Sequence, residues 1–118
     1  MSTLIVGYAR TPFVKLNGKF AEISAVELGA QATRAALAKA GVEASEVDFL
    51  VAGQVLQAAV GQNPARQTAI AAGLSKNTPA QTLNSVCLSG MDAVAAGVRL
   101  IESGDADIVV AVGQESMS

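Results

Sequence analysis

Short apolar runs and stretches with helical spacing alternate along the chain. Residues 4–9 form an apolar run that Pro12 and its neighbours close, and because proline biases the preceding residue away from helix, this run predicts a strand that ends in a turn. Residues 47–55 form a second run, which is too short for an ordinary helix and predicts a buried strand. Residues 80–86 alternate loosely, and residues 107–113 are almost wholly β-branched or small, which predicts a central parallel strand buried on both faces.

Helix signals stand between these runs. Ser24 and Glu27 have the spacing of a capping box, which predicts a helix that starts there and that Gly41 closes in a left-handed conformation. Asn63 lies directly before Pro64. Because asparagine caps helix N-termini and proline is best tolerated in the first turn, this pair predicts the start of a second helix.

A third helix is predicted from Met91, near the end of the stretch at residues 84–93. Its apolar positions trace one face until Gly104, and they are Met91, Val94, Val98 and Ile101. The middle of this helix is small and its other positions are apolar most of the way round, so we expect it to be covered on more than one side. The order of strands and helices predicts an α/β fold with right-handed crossovers and a parallel or mixed sheet.

Composition narrows the class of protein. The 118 residues fit one domain, and since 51% of them are hydrophobic but only 3% aromatic, the core must be built from Ala, Val, Leu and Ile. A net charge of -2 without a basic stripe argues against nucleic acid as a partner. No window reaches membrane-spanning length, and a lone cysteine favours a reducing compartment such as the cytoplasm.

The segment NSVCLSGMDA, residues 84–93, holds the only cysteine, Cys87. It lies where a strand leads into a helix, and there the free backbone amides and the helix dipole favour a thiolate. The same amides can bind a developing oxyanion. Position alone leaves two interpretations open, because free cysteine is also among the most buried residue types and is often a packing residue.

Other polar residues carry weaker signals. Arg10 and Arg66 could meet phosphates, although single arginines beside turns are more often structural or interface residues. Residues 114–116 follow the carboxyl end of a buried strand and are candidates for supporting groups near a site. No histidine accompanies the acidic side chains, which predicts solvated charge and no metal site at Asp105, Asp107 and Glu115.

The longer segment NSVCLSGMDAVAAG resembles the nucleophile segment of thiolases, whose pattern is roughly Asn-x-x-Cys-x-Ser-Gly-hydrophobic. Three further stretches match the same family in the same order, and they read VGYARTPF, GQNPARQ and GQESMS. The first and last of these favour thiolases over ketoacyl synthases, which also use a cysteine at a strand-to-helix turn. The resemblance implies a thiolase-like layered α-β-α-β-α fold. Residues 1–118 would be the N-terminal part of a thiolase domain and would supply most of its N-terminal mixed sheet and helices.

The same resemblance implies a reaction. Cys87 would take an acyl group from one thioester, and the carbanion of a second acetyl-CoA would attack the acyl-enzyme, or the reverse. The Cys87 amide would contribute to an oxyanion hole. Acetyl transfer that forms or cleaves acetoacetyl-CoA is the first expectation. A longer-chain 3-ketoacyl-CoA thiolase and a non-catalytic subunit of the same fold are the alternatives. Coenzyme A thioesters would be the substrates, with no cofactor and no metal. Leu88 stands where many thiolases have glycine, which bears on specificity.

Part of the family's catalytic set has no counterpart in this sequence. A base histidine, a second cysteine and a water-positioning asparagine would fall beyond Ser118, and the sequence contains no histidine. We therefore expect activity only with a complementary C-terminal thiolase chain or fragment. The resemblance also implies a homo-oligomer, a dimer or tetramer of complete units, in which the strand at residues 80–86 pairs with its copy near a two-fold axis and residues 62–67 join the interface.

Overall fold

Three helices and three strands alternate along residues 2–118, the part of the chain that this computed structural model describes. A short 3-10 helix at Ala44–Glu46 precedes the first strand. No helix within this part is long and apolar enough to cross a membrane. The elements in chain order are α1 (Ala25–Ala40), β1 (Phe49–Gly53), α2 (Pro64–Ala71), β2 (Ala80–Leu83), α3 (Ser89–Glu102) and β3 (Val109–Gly113).

The strands form a three-stranded sheet in the order β2-β1-β3. Both pairings are parallel, and Leu50 of β1 faces Ala80 on one side and Val110 on the other. The central strand is β1, whose Leu50, Val51 and Ala52 are 0% exposed. The predicted strand at residues 107–113 is confirmed as β3, but its predicted central position is wrong. Among the described residues β3 lies at an edge, and Ala111 is exposed.

The predicted strand at residues 4–9 does not form in the described chain. Its side chains stay in solvent, with Leu4 76% and Tyr8 80% exposed. The segment lies against α1, where a Cβ on Gly7 would come within 2.9 Å of the Ala36 carbonyl oxygen. A strand needs a hydrogen-bonding neighbour as well as apolar side chains, and no described strand pairs with this segment.

The caps of α1 follow the sequence signals. The Ser24 hydroxyl accepts from the Glu27 amide at 3.1 Å, and the Glu27 carboxylate accepts from the Ser24 amide at 3.1 Å. Gly41 ends the helix at a φ of 67°, which a residue with a side chain rarely adopts. Both caps therefore confirm the predicted bounds of α1.

Helix α2 begins as Asn63 and Pro64 predict. The Asn63 side chain accepts from the Arg66 amide, and Pro64 occupies the first turn. The Thr82 hydroxyl of β2 donates to the Asn63 side chain at 2.7 Å and accepts from the Ala65 amide at 2.9 Å. These bonds join the start of α2 to the edge strand β2.

Helix α3 packs on the sheet through small residues. Its buried positions are Ser89, Ala93 and Gly97, and a Cβ on Gly97 would lie 3.1 Å from a Val109 methyl carbon. Of the large apolar residues that predicted the helix, Met91 and Val94 are 72% and 44% exposed, while Val98 and Ile101 are half-buried. The predicted apolar face is therefore only partly covered, and the small residues make the close contact with the sheet.

Candidate active site

Glycines bring the N-terminus of α3 onto the carboxyl ends of β1 and β3. A Cβ on Gly53, the last residue of β1, would lie 2.4 Å from the Ser89 carbonyl oxygen. A Cβ on Gly113, the last residue of β3, would lie 3.1 Å from the Gly90 Cα. Glycine allows both approaches, and at Gly53 a side chain would force the backbone of α3 to shift. They place the turn before α3 at the sheet edge where α/β proteins usually bind ligands.

Cys87 lies in this turn, two residues before α3 begins, and its side chain is exposed. It lines a cleft of about 550 Å³ whose walls include residues 9–16, residues 113–118 and part of α1. The exposed thiol is not part of the core that residues 2–118 form. The role of Cys87 as a nucleophile stays a prediction.

The turn holds a strained residue directly before Cys87. Val86 has a φ of 54°, in the left-handed region that a β-branched residue disfavours. Such a conformation costs roughly 1–3 kcal/mol. The Val86 amide donates to the Asn84 side chain at 2.9 Å, and its carbonyl accepts from the Ser89 hydroxyl at 2.6 Å. The Ser85 carbonyl accepts from the Leu88 amide at 3.1 Å and closes the turn.

Two more hydrogen bonds join the turn to the first turns of α3. The Ser85 amide donates to the Ser89 hydroxyl at 2.9 Å, and the Ser85 hydroxyl donates to the Asp92 carboxylate. Ser89 is only 5% exposed. The turn is therefore held by side chains of a buried helix start and is not a free loop.

Backbone donors remain free around the thiol. Within residues 2–118, the amides of Cys87, Gly90 and Met91 have no hydrogen-bond acceptor. The last two belong to the first turn of α3, where the helix dipole is positive. Donors of this kind can stabilise a negative oxygen that forms beside Cys87.

Glu115 joins the ends of β1 and β3 at the floor of the cleft. Its carboxylate accepts from the Val55 amide at 2.9 Å and from the Leu56 amide at 3.1 Å. The sequence predicts supporting groups at residues 114–116. The structure gives Glu115 a supporting contact of this kind, because the two bonds fix the chain that leaves β1.

A buried polar network lies behind this floor. The Gln114 amide group donates to the Gln54 side chain at 2.8 Å and accepts from the Thr68 hydroxyl at 2.9 Å. Gly29 makes room for it, since a Cβ there would lie 1.8 Å from the Gln114 side-chain oxygen. Sequence reasoning missed Gln54, Thr68 and Gly29. The available signal was Gln54 itself, a polar residue next to the apolar run of β1.

In the described part of the chain, the two candidate arginines and the acidic residues make no hydrogen bond to the Cys87 thiol. The Arg66 guanidinium donates to the Thr78 carbonyl, which is a structural contact. Arg10 lines the cleft but lies 4.6 Å over the Phe13 ring, and its guanidinium donates to a neighbouring carbonyl. Among residues 2–118 no group of three or more His, Cys, Asp or Glu side chains could hold a metal ion.

Asp48 shows a structural use of a carboxylate away from the cleft. It accepts from the backbone amides of Ile108 at 3.0 Å and Asp107 at 2.9 Å, at the start of β3. These bonds favour the charged form and hold the pKa of the Asp48 carboxyl below its ordinary value. Asp107 thus contributes its backbone, and no ligand set forms there.

Known proteins share this sequence and architecture. Residues 3–118 match the family described as Thiolase, N-terminal domain. The probable acetyl-CoA acetyltransferase of Mycobacterium tuberculosis is 52% identical over 117 residues, which are 99% of this chain and 30% of that protein. The acetyl-CoA acetyltransferase of Cupriavidus necator is 53% identical over 115 residues, which are 98% of this chain and 29% of that protein.

A solved structure agrees with these matches. The crystal structure of the Acat5 thiolase from Ascaris suum in complex with coenzyme A superimposes with a TM-score of 0.95 at 38% identity, covering 97% of this chain and 30% of that one. The chain thus spans about 30% of the length of the relatives that it matches. The α/β architecture with its parallel strands is the thiolase fold, and the chain belongs to the thiolase family.

Proposed function

We propose that this protein works in an acetyl-CoA C-acetyltransferase, which forms or cleaves acetoacetyl-CoA through an acyl group on Cys87. The observation that carries the proposal is the exposed Cys87 thiol, which lines the cleft beside free amides at the start of α3. The names of the relatives support the reaction class, since both quoted relatives are named acetyl-CoA acetyltransferase. The coenzyme A complex of the Ascaris suum thiolase supports a coenzyme A thioester as the substrate.

The proposed condensation has two steps. The Cys87 thiolate attacks the carbonyl carbon of acetyl-CoA, the carbonyl electrons move to oxygen, and coenzyme A leaves with the electron pair of the broken carbon–sulfur bond and takes up a proton. A base then removes an α-proton from a second acetyl-CoA. The resulting carbanion attacks the acyl carbon, and Cys87 leaves as thiolate while acetoacetyl-CoA forms. Cleavage runs through the same steps in reverse.

The described residues supply part of this chemistry. Negative charge grows on the carbonyl oxygen in both steps, and the free Cys87 amide stands next to the attacking sulfur. One oxyanion donor is typically worth about 10²–10³ in rate. The Gly90 and Met91 amides add the positive end of α3 to the same region.

The proposal assigns the remaining groups to a complementary C-terminal thiolase segment. A histidine base, a second cysteine, an asparagine and the coenzyme A loops come from that segment, and this sequence has no histidine of its own. Two observations support the idea. The relatives are about three times longer than the part that matches, and Met91 and Val94 leave one face of α3 exposed.

The test is the activity of the native protein that contains residues 1–118. We expect turnover of acetoacetyl-CoA and coenzyme A, measured as loss of the acetoacetyl-CoA enolate absorbance. Cys87→Ser should abolish turnover and leave assembly intact. Ser103→Ala, at the opposite end of α3, is the matched control and should stay active. Turnover by Cys87→Ser would refute the proposal, and a preference for longer 3-ketoacyl-CoA substrates would favour the alternative thiolase.

Assembly forms part of the same proposal. Strand β2 lies at an edge of the described sheet, with one side paired to β1. We propose that two copies meet along residues 80–86, with residues 62–67 at the same contact, in a two-fold arrangement that uses one patch twice. A monomeric native protein in light scattering would contradict this. A reducing compartment such as the cytoplasm would keep the Cys87 thiol available.

A further inference from the structure

Val86 adopts a conformation that its side chain disfavours, and it does so directly before Cys87. Its φ of 54° lies in the left-handed region, where a Cβ crowds the neighbouring carbonyl and a β-branched residue crowds it most. Such a conformation persists only where the surrounding structure over-determines it. The contacts of the Val86 backbone show what determines it here.

Both polar atoms of the Val86 backbone are held by neighbouring residues. The Asn84 side chain accepts from the Val86 amide at 2.9 Å, and Ser89 donates to the Val86 carbonyl from its hydroxyl at 2.6 Å and from its amide at 3.1 Å. Ser89 is 5% exposed and sits over Gly53. The Asn84 amide group donates to the Val55 carbonyl at 3.4 Å. The restraint is therefore anchored on the helix start and on the chain that leaves β1.

We propose that Asn84 and Ser89 are positioning residues that hold Val86 in the left-handed conformation and thereby fix the Cys87 thiol and amide at the cleft. A return of Val86 to a right-handed or extended conformation rotates the peptide that follows it. That rotation displaces the Cys87 amide and the thiol together from their present places in the cleft. This inference rests on the proposed function only in treating Cys87 as the reactive group.

The test measures the rate at which iodoacetamide alkylates Cys87 in the native protein, read by mass spectrometry of the peptide that contains it. Asn84→Ala should slow alkylation about tenfold, the effect of one lost hydrogen bond. The kcat for acetoacetyl-CoA should fall by a similar factor with KM unchanged. Asn84→Ser keeps a neutral oxygen that bonds the same amide more weakly, so it should restore part of the rate.

A second substitution separates positioning from a general loss of structure. Glycine adopts the left-handed conformation without penalty, so Val86→Gly alone should keep the wild-type rate, and Val86→Gly added to Asn84→Ala should restore part of it, because the two Ser89 hydrogen bonds remain. Two matched controls lie away from the cleft. Asn77→Ala removes an exposed asparagine side chain, and Ala59→Gly relieves another left-handed residue, with a φ of 61°. Neither should change the alkylation rate.

Three results would overturn the proposal. The first is a wild-type alkylation rate in a folded Asn84→Ala protein, and the second is a double variant that stays as slow as Asn84→Ala. The third is a loss of Cys87 reactivity in Val86→Gly alone. This result would decide the matter even if Asn84→Ala did not fold. Activity of Cys87→Ser would instead refute the proposed function, and the alkylation rates would still decide the role of Asn84.

Discussion

The substitution Gly53→Ala adds one methyl group at the end of β1 and should disturb the contact between β1 and the start of α3. A Cβ there would lie 2.4 Å from the Ser89 carbonyl oxygen and 2.5 Å from its carbonyl carbon, where real Cβ atoms essentially never come within 3.0 Å. Both obstructing atoms belong to the backbone, so α3 must shift by at least about half an ångström. Forced shifts of this kind in a packed interior cost about 1–3 kcal/mol.

Gly97→Ala, in α3, is the matched control. Its Cβ would lie 3.1 Å from a Val109 methyl carbon and 3.6 Å from the Val109 Cβ, both in one side chain, and alanine gains up to about 1 kcal/mol of helix propensity over glycine. The two effects nearly cancel, so the free energy of unfolding of this variant should lie within about 1 kcal/mol of the wild-type value.

The assay combines urea unfolding with alkylation of Cys87 in the native protein. Gly53→Ala should lower the free energy of unfolding by about 1–3 kcal/mol. It should also slow alkylation, because the Ser89 hydroxyl holds the turn before Cys87. Gly97→Ala should change neither by much. If Gly53→Ala matched the wild type in both measurements, the close approach of α3 to β1 would not be what places the thiol.

Three further predictions follow from other contacts. Thr68→Val should cost about 1–3 kcal/mol in chemical unfolding, because it leaves the Gln114 oxygen buried without a donor; a variant as stable as the wild type would contradict this. At pH values above the ordinary pKa of aspartate, Asp48→Asn should lower the free energy of unfolding by a small amount. The difference from the wild type should vanish as the pH falls through the lowered pKa of Asp48. A difference that grew in acid would refute that direction. Residues 1–118 expressed alone should be poorly soluble, because the α3 face around Met91 stays in water. They should also be inactive with acetoacetyl-CoA, because the sequence has no histidine base. A soluble, active preparation would show that no complementary segment is needed.

Local signals predicted the helices well because their causes are local. The capping box at Ser24 and Glu27 and the pair Asn63 and Pro64 act within one turn, and the structure confirms both helix starts. The position of a strand in the sheet depends on distant partners instead. The sequence therefore predicted β3 but misplaced it, and the apolar run at residues 4–9 found no described partner.

The candidate site could be predicted in part. The cysteine at a strand-to-helix turn was readable from the sequence, and the structure places it there, exposed. The restraint on Val86 was not readable, because valine gives no signal for a left-handed conformation. The contact of Gly53 with Ser89 joins residues 36 positions apart, and no local pattern carries such information. The buried face of α3 was missed because small residues contribute little to apolar periodicity.

The register of the sheet favours one order of strand association when this chain folds. Leu50 pairs with Ala80, 30 residues later, and with Val110, 60 residues later. Doubling a loop adds about 0.6 kcal/mol of closure entropy, so we expect β1 and β2 to associate before β3 joins them. The cleft walls at residues 113–118 begin at the last residue of β3, so we expect Glu115 to reach the chain beyond β1 only once β3 is in place. The cleft around Cys87 would then be the last part of this chain to form, and the thiol would remain outside any finished pocket until that step.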